Sequence, residues 1–431
     1  MLVEFKFSNY RSFRDEAILS MEAVNVSKSK DSLITYNSLY LLPSVAIYGK
    51  NGGGKSNVIR AFWLAVQFVR NAQRTQHANA GVPVSPFLLN DYSKERVTSF
   101  EFTYIWEGIK YIYGFSSTQK EVTREYLYYF PKKKEALVFD RIGQSFIFRT
   151  GTEKKKRELI SQAVASNQLF FAVACTMNER ICVDAMGWFN NITFSRGYTD
   201  IPAQLLAYSE DPHMLQAISD YAKAADVGIQ DMKFDIKSTG IEQMPNNLPE
   251  GIKQALMQFA QALAESSEGA EAKLKMEEVH ASTYHRGVDK TGVQHHYQLA
   301  LEDESDGTRR IMSLAPMVEK ALRSGGVLLV DELEKEIHPL LMQFVISKFQ
   351  NPKTNPNNAQ MIFTTHNTDI LDMDIMRKDQ LYFVDKDDED GSSTLYSIAD
   401  FFGNKSENIR KGYLLGKYGA IPNIDIGDDW E

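Results

Sequence analysis

The feature that most constrains this chain is a glycine-rich loop between an apolar run and an amphipathic helical pattern. The stretch AIYGKNGGGKSN, residues 46–57, contains Gly49-x-x-x-x-Gly54-Lys55-Ser56, which is the P-loop pattern. The run PSVAIY predicts a buried strand before the loop, and VIRAFWLAVQFVRNA predicts a helix after it. Because this pattern binds phosphate in a strand–loop–helix context, we predict a nucleotide site rather than a chance glycine-rich turn.

Each residue type in the loop predicts a contact to a nucleotide. Backbone N–H groups and the helix N-terminus are expected to bind phosphate oxygens. The Lys55 ammonium would contact the β- and γ-phosphates of ATP, and the Ser56 hydroxyl would ligate Mg²⁺. The glycines permit a close approach of phosphate that a Cβ would obstruct. The predicted nucleotide-binding residues are Gly49, Asn51, Gly52, Gly53, Gly54, Lys55, Ser56 and Asn57.

A second apolar strand, VLLVDE at residues 327–332, ends in two adjacent carboxylates. Many strands end in acidic turn residues, so this pattern has an ordinary structural explanation. With a P-loop in the same chain, we predict that Asp331 holds the Mg²⁺ shell and that Glu332 activates water as general base. In compact P-loop switches and ring-forming motors the acidic strand follows the loop quickly. Here it lies near the far end of the chain, which argues against those classes.

Two further motifs lie on either side of the acidic strand. Ser305-Asp306-Gly307-Thr308 opens an amphipathic helical pattern, so the Ser305 hydroxyl and free helix N–H groups make a second potential anion site. Taken alone, this motif predicts only a helix N-cap. IFTTHN places His366 at the end of another apolar strand. A single histidine is usually structural, and only its position after the acidic strand makes His366 a candidate catalytic residue.

Composition restricts the classes of protein that this chain can belong to. Its 431 residues allow two or three compact units, and no apolar run is long enough to span a bilayer. The N-terminus alternates apolar and polar residues without an apolar signal core, so we predict a cytoplasmic protein that does not bind membranes. The net charge of -8 gives no overall attraction to nucleic acid. Cys175 and Cys182 predict neither a disulfide framework nor a CxxC pair.

The order of strand and helix patterns predicts an α/β fold with a mixed sheet. Residues 1–150 read as a β-rich N-terminal half that carries the P-loop, and residues 151–280 read as a mostly helical insert. Residues 281–431 alternate strand and helix and carry the remaining motifs. We therefore expect two sequence-distant halves of the chain to meet in a single sheet.

These motifs together resemble ABC-type ATPase heads of the group that includes chromosome-maintenance, recombination and OLD proteins. The similarity extends to stand-alone bacterial AAA-type ATP-binding proteins, including RloA-like, AbiL-like and AriA-like ATPases of anti-phage systems. It covers most of the chain and is carried by these stretches: FSNYRSF, AIYGKNGGGKSN, ESDGTRR, VLLVDELEKEIHP, FTTHNTDIL and ENIRKGYLLGKYGAIPNI.

The resemblance implies a site that one chain cannot complete. The signature residues Ser305, Asp306 and Gly307 of one subunit would close over ATP held at Lys55 of another, and His366 would act as the switch histidine. At least a homodimer is thus implied. The resemblance further implies a sensor or regulatory subunit of a defence system that controls a separate toxic effector, such as a nuclease.

Several positions depart from the transporter-like pattern. The glutamine-loop residue has three candidates, Gln67, Gln73 and Gln76, and His338 stands where such ATPases tend to offer an aspartate. VDKDDED before Gly391 is interpreted as an acidic hairpin turn rather than a metal site. Little sequence follows it, so we expect an ATPase without its own Toprim nuclease.

Two alternative functions remain open from the sequence. A DNA-repair or recombination clamp ATPase would bind DNA directly, through basic clusters at Lys132–Lys134 and Lys154–Arg157. A solvated surface is the commoner explanation for each cluster. A transporter head is the third possibility, and the opening and tail of the chain argue against it.

Overall fold

The computed structural model describes residues 1–24, 30–75, 80–149, 153–196, 201–226, 228–240, 251, 253–255, 257–258, 275–371, 375–400 and 408–420. The chain divides into two compact units. The first unit combines residues 1–197 with residues 320–431, and the second is Tyr198–Glu319.

Within the described ranges, runs of strands are separated by runs of helices, and single strands alternate with single helices only over residues 306–364. The strands are β1 (Leu2–Ser8), β2 (Ala17–Ser20), β3 (Ile34–Tyr36), β4 (Leu39–Leu41), β5 (Ser44–Gly49), β6 (Thr98–Trp106), β7 (Ile109–Ser117), β8 (Val122–Tyr129), β9 (Ala136–Ile142), β10 (Ser145–Ile147), β11 (Ile192–Arg196), β12 (Ile229–Gly240), β13 (Lys275–Val288), β14 (Gln294–Ala300), β15 (Val327–Asp331), β16 (Gln360–Thr364), β17 (Leu381–Lys386) and β18 (Ser393–Ser397). The helices are α1 (Lys55–Thr75), α2 (Asp91–Glu95), α3 (Lys154–Ser161), α4 (Phe170–Thr176), α5 (Arg180–Asn190), α6 (Ile201–Ala207), α7 (Pro212–Ala225), α8 (Asp306–Ser324), α9 (Pro339–Gln350) and α10 (Ile409–Leu414).

One sheet of the first unit is antiparallel, with strand order β10-β9-β8-β7-β6-β1-β2. The predicted hairpin in SFEFTYIWEGIKYIYGFSS is confirmed, since Trp106 pairs with Ile109 across a two-residue turn. Glu107 and Gly108 both have positive φ, 47° and 74°, which is the conformation that a type I′ hairpin turn requires. Alternation along these strands places aromatic side chains on the buried face.

The second sheet of this unit has the order β11-β15-β16-β5-β17-β18. Neighbouring strands are parallel from β11 to β17, and only β18 is antiparallel. Strand β5 lies between β16 and β17, so residues 44–49 pair with residues more than 300 positions later. The expectations of an α/β fold and of two distant halves in one sheet are therefore confirmed.

Helix α1 links the two sheets of the first unit. Its Phe62 ring lies 4.8 Å from Phe5 and 5.2 Å from Phe102, both on the antiparallel sheet. The helix also contacts β5, β15 and β16 of the parallel sheet. Phe5, Phe62 and Phe102 are apolar and buried, so the hydrophobic effect fixes the position of α1. The P-loop leads directly into α1 and is positioned with it.

The compact units do not follow the predicted insert of residues 151–280. Helices α3 to α5 belong to the first unit, because aromatic side chains such as Phe170 and Trp188 are buried in its core. Strand β11 also joins the parallel sheet by pairing with β15. The apolar faces of these helices therefore pack into the core of the first unit and not into a separate helical domain.

The second unit contains helices α6 and α7, most of α8, and an antiparallel sheet in the order β12-β13-β14. The block predicted as mostly helical thus also contains two long strands, β12 and β13. Of the predicted helical stretch EGIKQALMQFAQALAES, residues 251, 253–255 and 257–258 are described and are helical, and the rest falls outside the described residues. None of the helices in the described ranges combines the length and apolarity needed to cross a membrane.

Candidate nucleotide site

The P-loop runs from the end of β5 to the start of α1, and two of its glycines are required by space. A Cβ on Gly49 would collide with the Val384 carbonyl oxygen, and a Cβ on Gly54 would lie 2.7 Å from the Ser12 and Ser393 hydroxyls. Gly54 also has a φ of 116°, a conformation that other residues rarely adopt. The predicted need for glycine therefore has a second cause, which is the packing of neighbouring loops against the P-loop.

Lys55 is buried, with 6% of its surface exposed, and its ammonium is held by the loop itself. Nζ donates to the carbonyl oxygens of Gly49 at 2.7 Å and of Lys50 at 3.2 Å. Burial lowers the pKa of Lys55 to about 8, and the carboxylates of Glu334, Glu332 and Asp331 act in the opposite direction. A desolvated cation in a loop of N–H groups is well suited to bind phosphate.

Ser56 and Asp331 meet although they are 275 positions apart. The Ser56 hydroxyl donates to Asp331 Oδ1 at 2.8 Å. The Thr364 hydroxyl donates to the same carboxylate oxygen, also at 2.8 Å. Hydroxyl and carboxylate oxygens are the ligands that Mg²⁺ prefers, so the two residues predicted to hold the metal fit it in identity and in position.

Glu332 lies immediately after β15 with a φ of 55°, in the left-handed region. Its backbone N–H donates to the Thr364 hydroxyl at 2.7 Å. Thr364 therefore accepts from Glu332 and donates to Asp331, and it fixes both acidic residues relative to each other. Sequence reasoning missed Thr364. Its place before the candidate histidine, at the carboxyl end of a parallel strand, was the available signal.

His366 follows β16 and reaches the same site. Its backbone N–H donates to Glu334 Oε1 at 2.6 Å. Burial, followed by the charge of Lys55, lowers the pKa of the His366 imidazole below its usual value of 6.5. The ring is therefore neutral near pH 7, which allows it to accept or donate a hydrogen bond at a developing charge.

Lys55, Ser56, Glu332 and His366 line a cavity of about 250 Å³. The lining residues are Lys50, Asn51, Gly52, Gly54, Lys55, Ser56, Asn57, Arg60, Glu332 and His366. Arg60 was not predicted, although its position one helical turn after Ser56 on α1 places both on one face. Lys50 was also missed, and it forms ion pairs with Asp388 at 3.0 Å and with Asp385 at 3.8 Å.

The partners of Lys50 belong to the segment VDKDDED. The segment is a turn between the antiparallel strands β17 and β18, as predicted, and Asp387 Oδ1 accepts from the N–H groups of Glu389 and Asp390. The hairpin also touches the P-loop directly, because the Ser393 hydroxyl donates to the Gly53 carbonyl at 2.6 Å. The β17–β18 hairpin therefore contacts the P-loop and helps to hold its conformation.

The signature candidates Ser305, Asp306 and Gly307 lie in the second unit, at the start of α8. The Ser305 hydroxyl accepts from the Thr308 N–H at 3.1 Å, which is N-cap geometry. Asp306 forms an ion pair with Arg309 in the first turn. The local structure is the predicted helix start, and any role toward a nucleotide remains a prediction.

The remaining sequence candidates do not enter the described site. Gln67 lies three turns along α1, where its side chain accepts from Asn71. Gln76 and the side chain of Gln73 fall outside the described residues. His338 is exposed and caps α9, with Nδ1 accepting from the Leu340 N–H at 3.2 Å. None of these glutamines is thereby assigned to a glutamine loop.

The basic cluster Lys154–Arg157 is largely engaged within the protein. Arg157 is 5% exposed and pairs with Glu179 at 2.7 Å. Lys156 donates to the Asn178 carbonyl, and Lys154 lies 3.5 Å from Glu158. Such a cluster offers few free cations to a phosphate backbone, which favours the interpretation as ordinary surface and helix structure.

Comparison with known proteins gives three kinds of match. A family model described as "AAA domain, putative AbiEii toxin, Type IV TA system" matches residues 44–372, well over half of the chain. "Retron Vc95 probable ATPase" of Vibrio cholerae serotype O1 biovar El Tor is 37% identical over 67 residues, which are 16% of this chain and 12% of that protein. The alignment therefore spans a small part of that relative.

Two solved structures resemble the chain over most of its length at low identity. The Smc head bound to the C-winged helix domain of ScpA is 12% identical, with a TM-score of 0.40, and the match covers 92% of this chain and 97% of that one. The recombination mediator protein RecF is 11% identical, with a TM-score of 0.33, and coverages of 92% and 98%.

Proposed function

Since this chain belongs to that family of AAA domains, we propose that it is the sensor or regulatory subunit of a bacterial anti-phage defence system, driven by ATP. Membership confirms the sequence-based assignment to AAA-type ATP-binding proteins and makes the chain an ATPase. The retron ATPase from Vibrio cholerae supports the defence context. We further propose that the chain controls a separate toxic effector, such as a nuclease, through ATP-dependent association of subunits.

One observation carries the assignment of the catalytic residues. Ser56 of the P-loop donates to Asp331 of the distant acidic strand at 2.8 Å, so both motifs form a single site. When bound there, Mg²⁺ would neutralise charge on the phosphates. The residues that would hold it are Ser56 and Asp331.

The other residues of the site divide the chemistry of hydrolysis among them. Lys55 and the loop N–H groups would bind the β- and γ-phosphates of ATP. Glu332, which has an exposed side chain beside the cavity, would take a proton from the attacking water. The neutral imidazole of His366 would contact the γ-phosphate and report its presence. These roles follow the positions of the side chains around the cavity.

Association of subunits is the second part of the proposal. The Ser305 loop lies in the second compact unit, whereas Lys55 lies in the first. The N-terminal N–H groups of α8 that Ser305 does not cap would offer an anion site for a γ-phosphate. We propose that Ser305, Asp306 and Gly307 of one copy act on ATP bound by another copy, so that ATP closes the dimer and hydrolysis releases it.

Direct DNA binding, the alternative function, receives less support from the structure. Arg157, the one arginine of the Lys154–Arg157 cluster, is buried against Glu179. If the chain were a DNA clamp, DNA binding would be salt-dependent and would weaken when Lys154 and Lys155 are neutralised.

Paired substitutions at Lys55 and Glu332 test the catalytic assignment. We expect Lys55→Ala to lose ATP binding, because it removes the ammonium that contacts phosphate. Glu332→Gln should bind ATP, remain associated, and hydrolyse at least about 100-fold more slowly, the scale of general-base catalysis. Glu336→Gln is the control, since Glu336 is an exposed acid of the same loop. The measurements are nucleotide binding and steady-state phosphate release. Hydrolysis by Glu332→Gln at the wild-type rate would exclude Glu332 as the base.

A further inference from the structure

Three potential metal ligands from separate elements converge in the second unit. Asp226 follows helix α7, His285 lies on β13, and Glu304 lies between the 3₁₀ turn Leu301–Asp303 and Ser305. One ligand atom from each of these three side chains lies within 4.8 Å of the other two. Across the part of the chain that the structure describes, no other three His, Cys, Asp or Glu side chains converge in this way.

The cluster combines burial with an excess of negative charge. Glu304 is 6% exposed, and its Oε1 lies 2.7 Å from His285 Nε2. Two carboxylates face one imidazole, so the three side chains carry a net negative charge whether or not the histidine is protonated. Asp226 and His285 are half-buried and Glu304 is buried, so this charge is only partly solvated and a bound cation would offset it.

Residues outside the cluster orient its carboxylates. The Thr283 hydroxyl donates to Glu304, and the Gly228 N–H donates to Asp226 Oδ1 at 2.7 Å. A Cβ on Gly228 would lie 3.0 Å from both Asp226 Oδ1 and His285 Nδ1. The glycine therefore lets its backbone approach Asp226 and His285 closely, where a side chain would be crowded. Outer hydrogen bonds of this kind are typical of metal sites.

We propose that Asp226, His285 and Glu304 bind one first-row divalent transition metal, with Zn²⁺ as the best fit. One imidazole and two carboxylates suit Zn²⁺ better than Mg²⁺, which prefers oxygen ligands alone. Bonds of about 2.0–2.2 Å place ligand atoms roughly 3.4 Å apart, so the side chains need to move by only about 1 Å. The metal would anchor the chain directly before Ser305. This proposal does not depend on the ATPase mechanism.

Zinc titration of the full chain tests the site. The protein is stripped with EDTA, kept free of nucleotide, and titrated with Zn²⁺ in an isothermal calorimeter. We expect one tight equivalent in the wild type. His285→Gln and Asp226→Asn should each weaken binding at least about tenfold, the scale expected when a ligand or its support is lost. Gly228→Ala should also weaken binding, because its methyl group would crowd Asp226 Oδ1 and His285 Nδ1 and displace them.

Two control variants separate this site from other histidines. His295→Gln removes an exposed histidine that pairs with Asp289 on the neighbouring hairpin. His366→Gln removes the histidine of the nucleotide cavity. Both should keep the tight equivalent. The proposal is overturned if the wild type takes up no stoichiometric Zn²⁺, or if His366→Gln rather than His285→Gln loses it. The titration of the wild type does not depend on whether any variant folds. Neither of the two contradicting outcomes tests the residues assigned to ATP hydrolysis.

Discussion

Thr364 is the residue on which the geometry of the acidic pair depends. Its hydroxyl accepts from the Glu332 N–H and donates to Asp331, and the side chain belongs to a buried strand end. Without this hydroxyl, the Asp331 carboxylate and the Glu332 N–H would each lose a hydrogen-bond partner in a partly buried site. Thr364 therefore positions the predicted metal ligand and the predicted base from outside the lining of the cavity.

Thr364→Val keeps the shape of the side chain and removes both hydrogen bonds. At about 1–3 kcal/mol for an unsatisfied partner, we expect kcat to fall at least about tenfold, with KM for ATP within about twofold. Thr364→Ser should restore most of the rate, because it retains the hydroxyl. Steady-state kinetics of the three proteins decide the matter. An unchanged kcat in Thr364→Val would show that the two acids are positioned by other contacts.

The lowered pKa of Lys55 makes the free energy of unfolding depend on pH. Burial lowers the pKa of Lys55 from 10.5 to about 8, so between these values the unfolded chain holds a proton that the folded chain lacks. The contribution of Lys55 to stability therefore rises with pH across this window. We expect the free energy of unfolding of wild type, relative to Lys55→Met, to rise by about 2–3 kcal/mol from pH 7 to pH 10.5. Urea denaturation of the nucleotide-free proteins measures it, and a constant difference would contradict it.

Among the elements, the P-loop offers two glycines that share a positive φ but differ in what surrounds them. Gly52 and Gly54 both have positive φ, 73° and 116°. A Cβ at Gly52 meets nothing within 4 Å, whereas one at Gly54 lies 2.7 Å from Ser12 and Ser393 hydroxyls. The loop is therefore confined on one side by the N-terminal segment and by the β17–β18 hairpin.

Alanine at each glycine separates backbone strain from collision. Gly52→Ala should cost about 1 kcal/mol of unfolding free energy, the usual penalty for a left-handed conformation. Gly54→Ala should cost at least about 3 kcal/mol and lose ATP binding, because the loop or its two neighbours must move. Chemical denaturation and a nucleotide-binding assay measure both. Equal costs at the two positions would mean that the hairpin does not confine the loop.

The elements also show what the sequence could predict. The P-loop, the β6–β7 hairpin and the VLLVD strand follow from local patterns, because their residue types fix backbone conformation and burial directly. The bracing of the loop by Ser12, Lys50 and Ser393 could not be predicted, since it depends on strands that are distant in sequence. Strands β12 and β13 were missed because the surrounding helical periodicity dominated the pattern. Helices α3 to α5 lie in the block predicted as a mostly helical insert, but they belong to the first unit, because periodicity identifies an apolar face and not what covers it.

At the scale of the whole molecule, we propose that each ATP site is completed by residues of two chains. The P-loop, Asp331, Glu332 and His366 lie together in the first unit, and the Ser305 loop lies in the second. A symmetric dimer would then carry two composite sites, each with a P-loop from one copy and a signature from the other. ATP would stabilise the closed dimer to the extent that it binds the closed state more tightly than the open state.

Mixing two inactive variants tests this claim most directly. Lys55→Ala disables the P-loop, and Ser305→Asp keeps a good N-cap while placing a negative charge against the γ-phosphate. Ser305→Asn is the neutral control that also keeps the cap. In a 1:1 mixture half of the dimers are heterodimers, and each has one site with both parts intact. The account predicts recovery of about a quarter of the wild-type ATPase rate per chain, from two proteins that are inactive alone. A mixture that forms heterodimers and stays as inactive as its components would contradict the composite site.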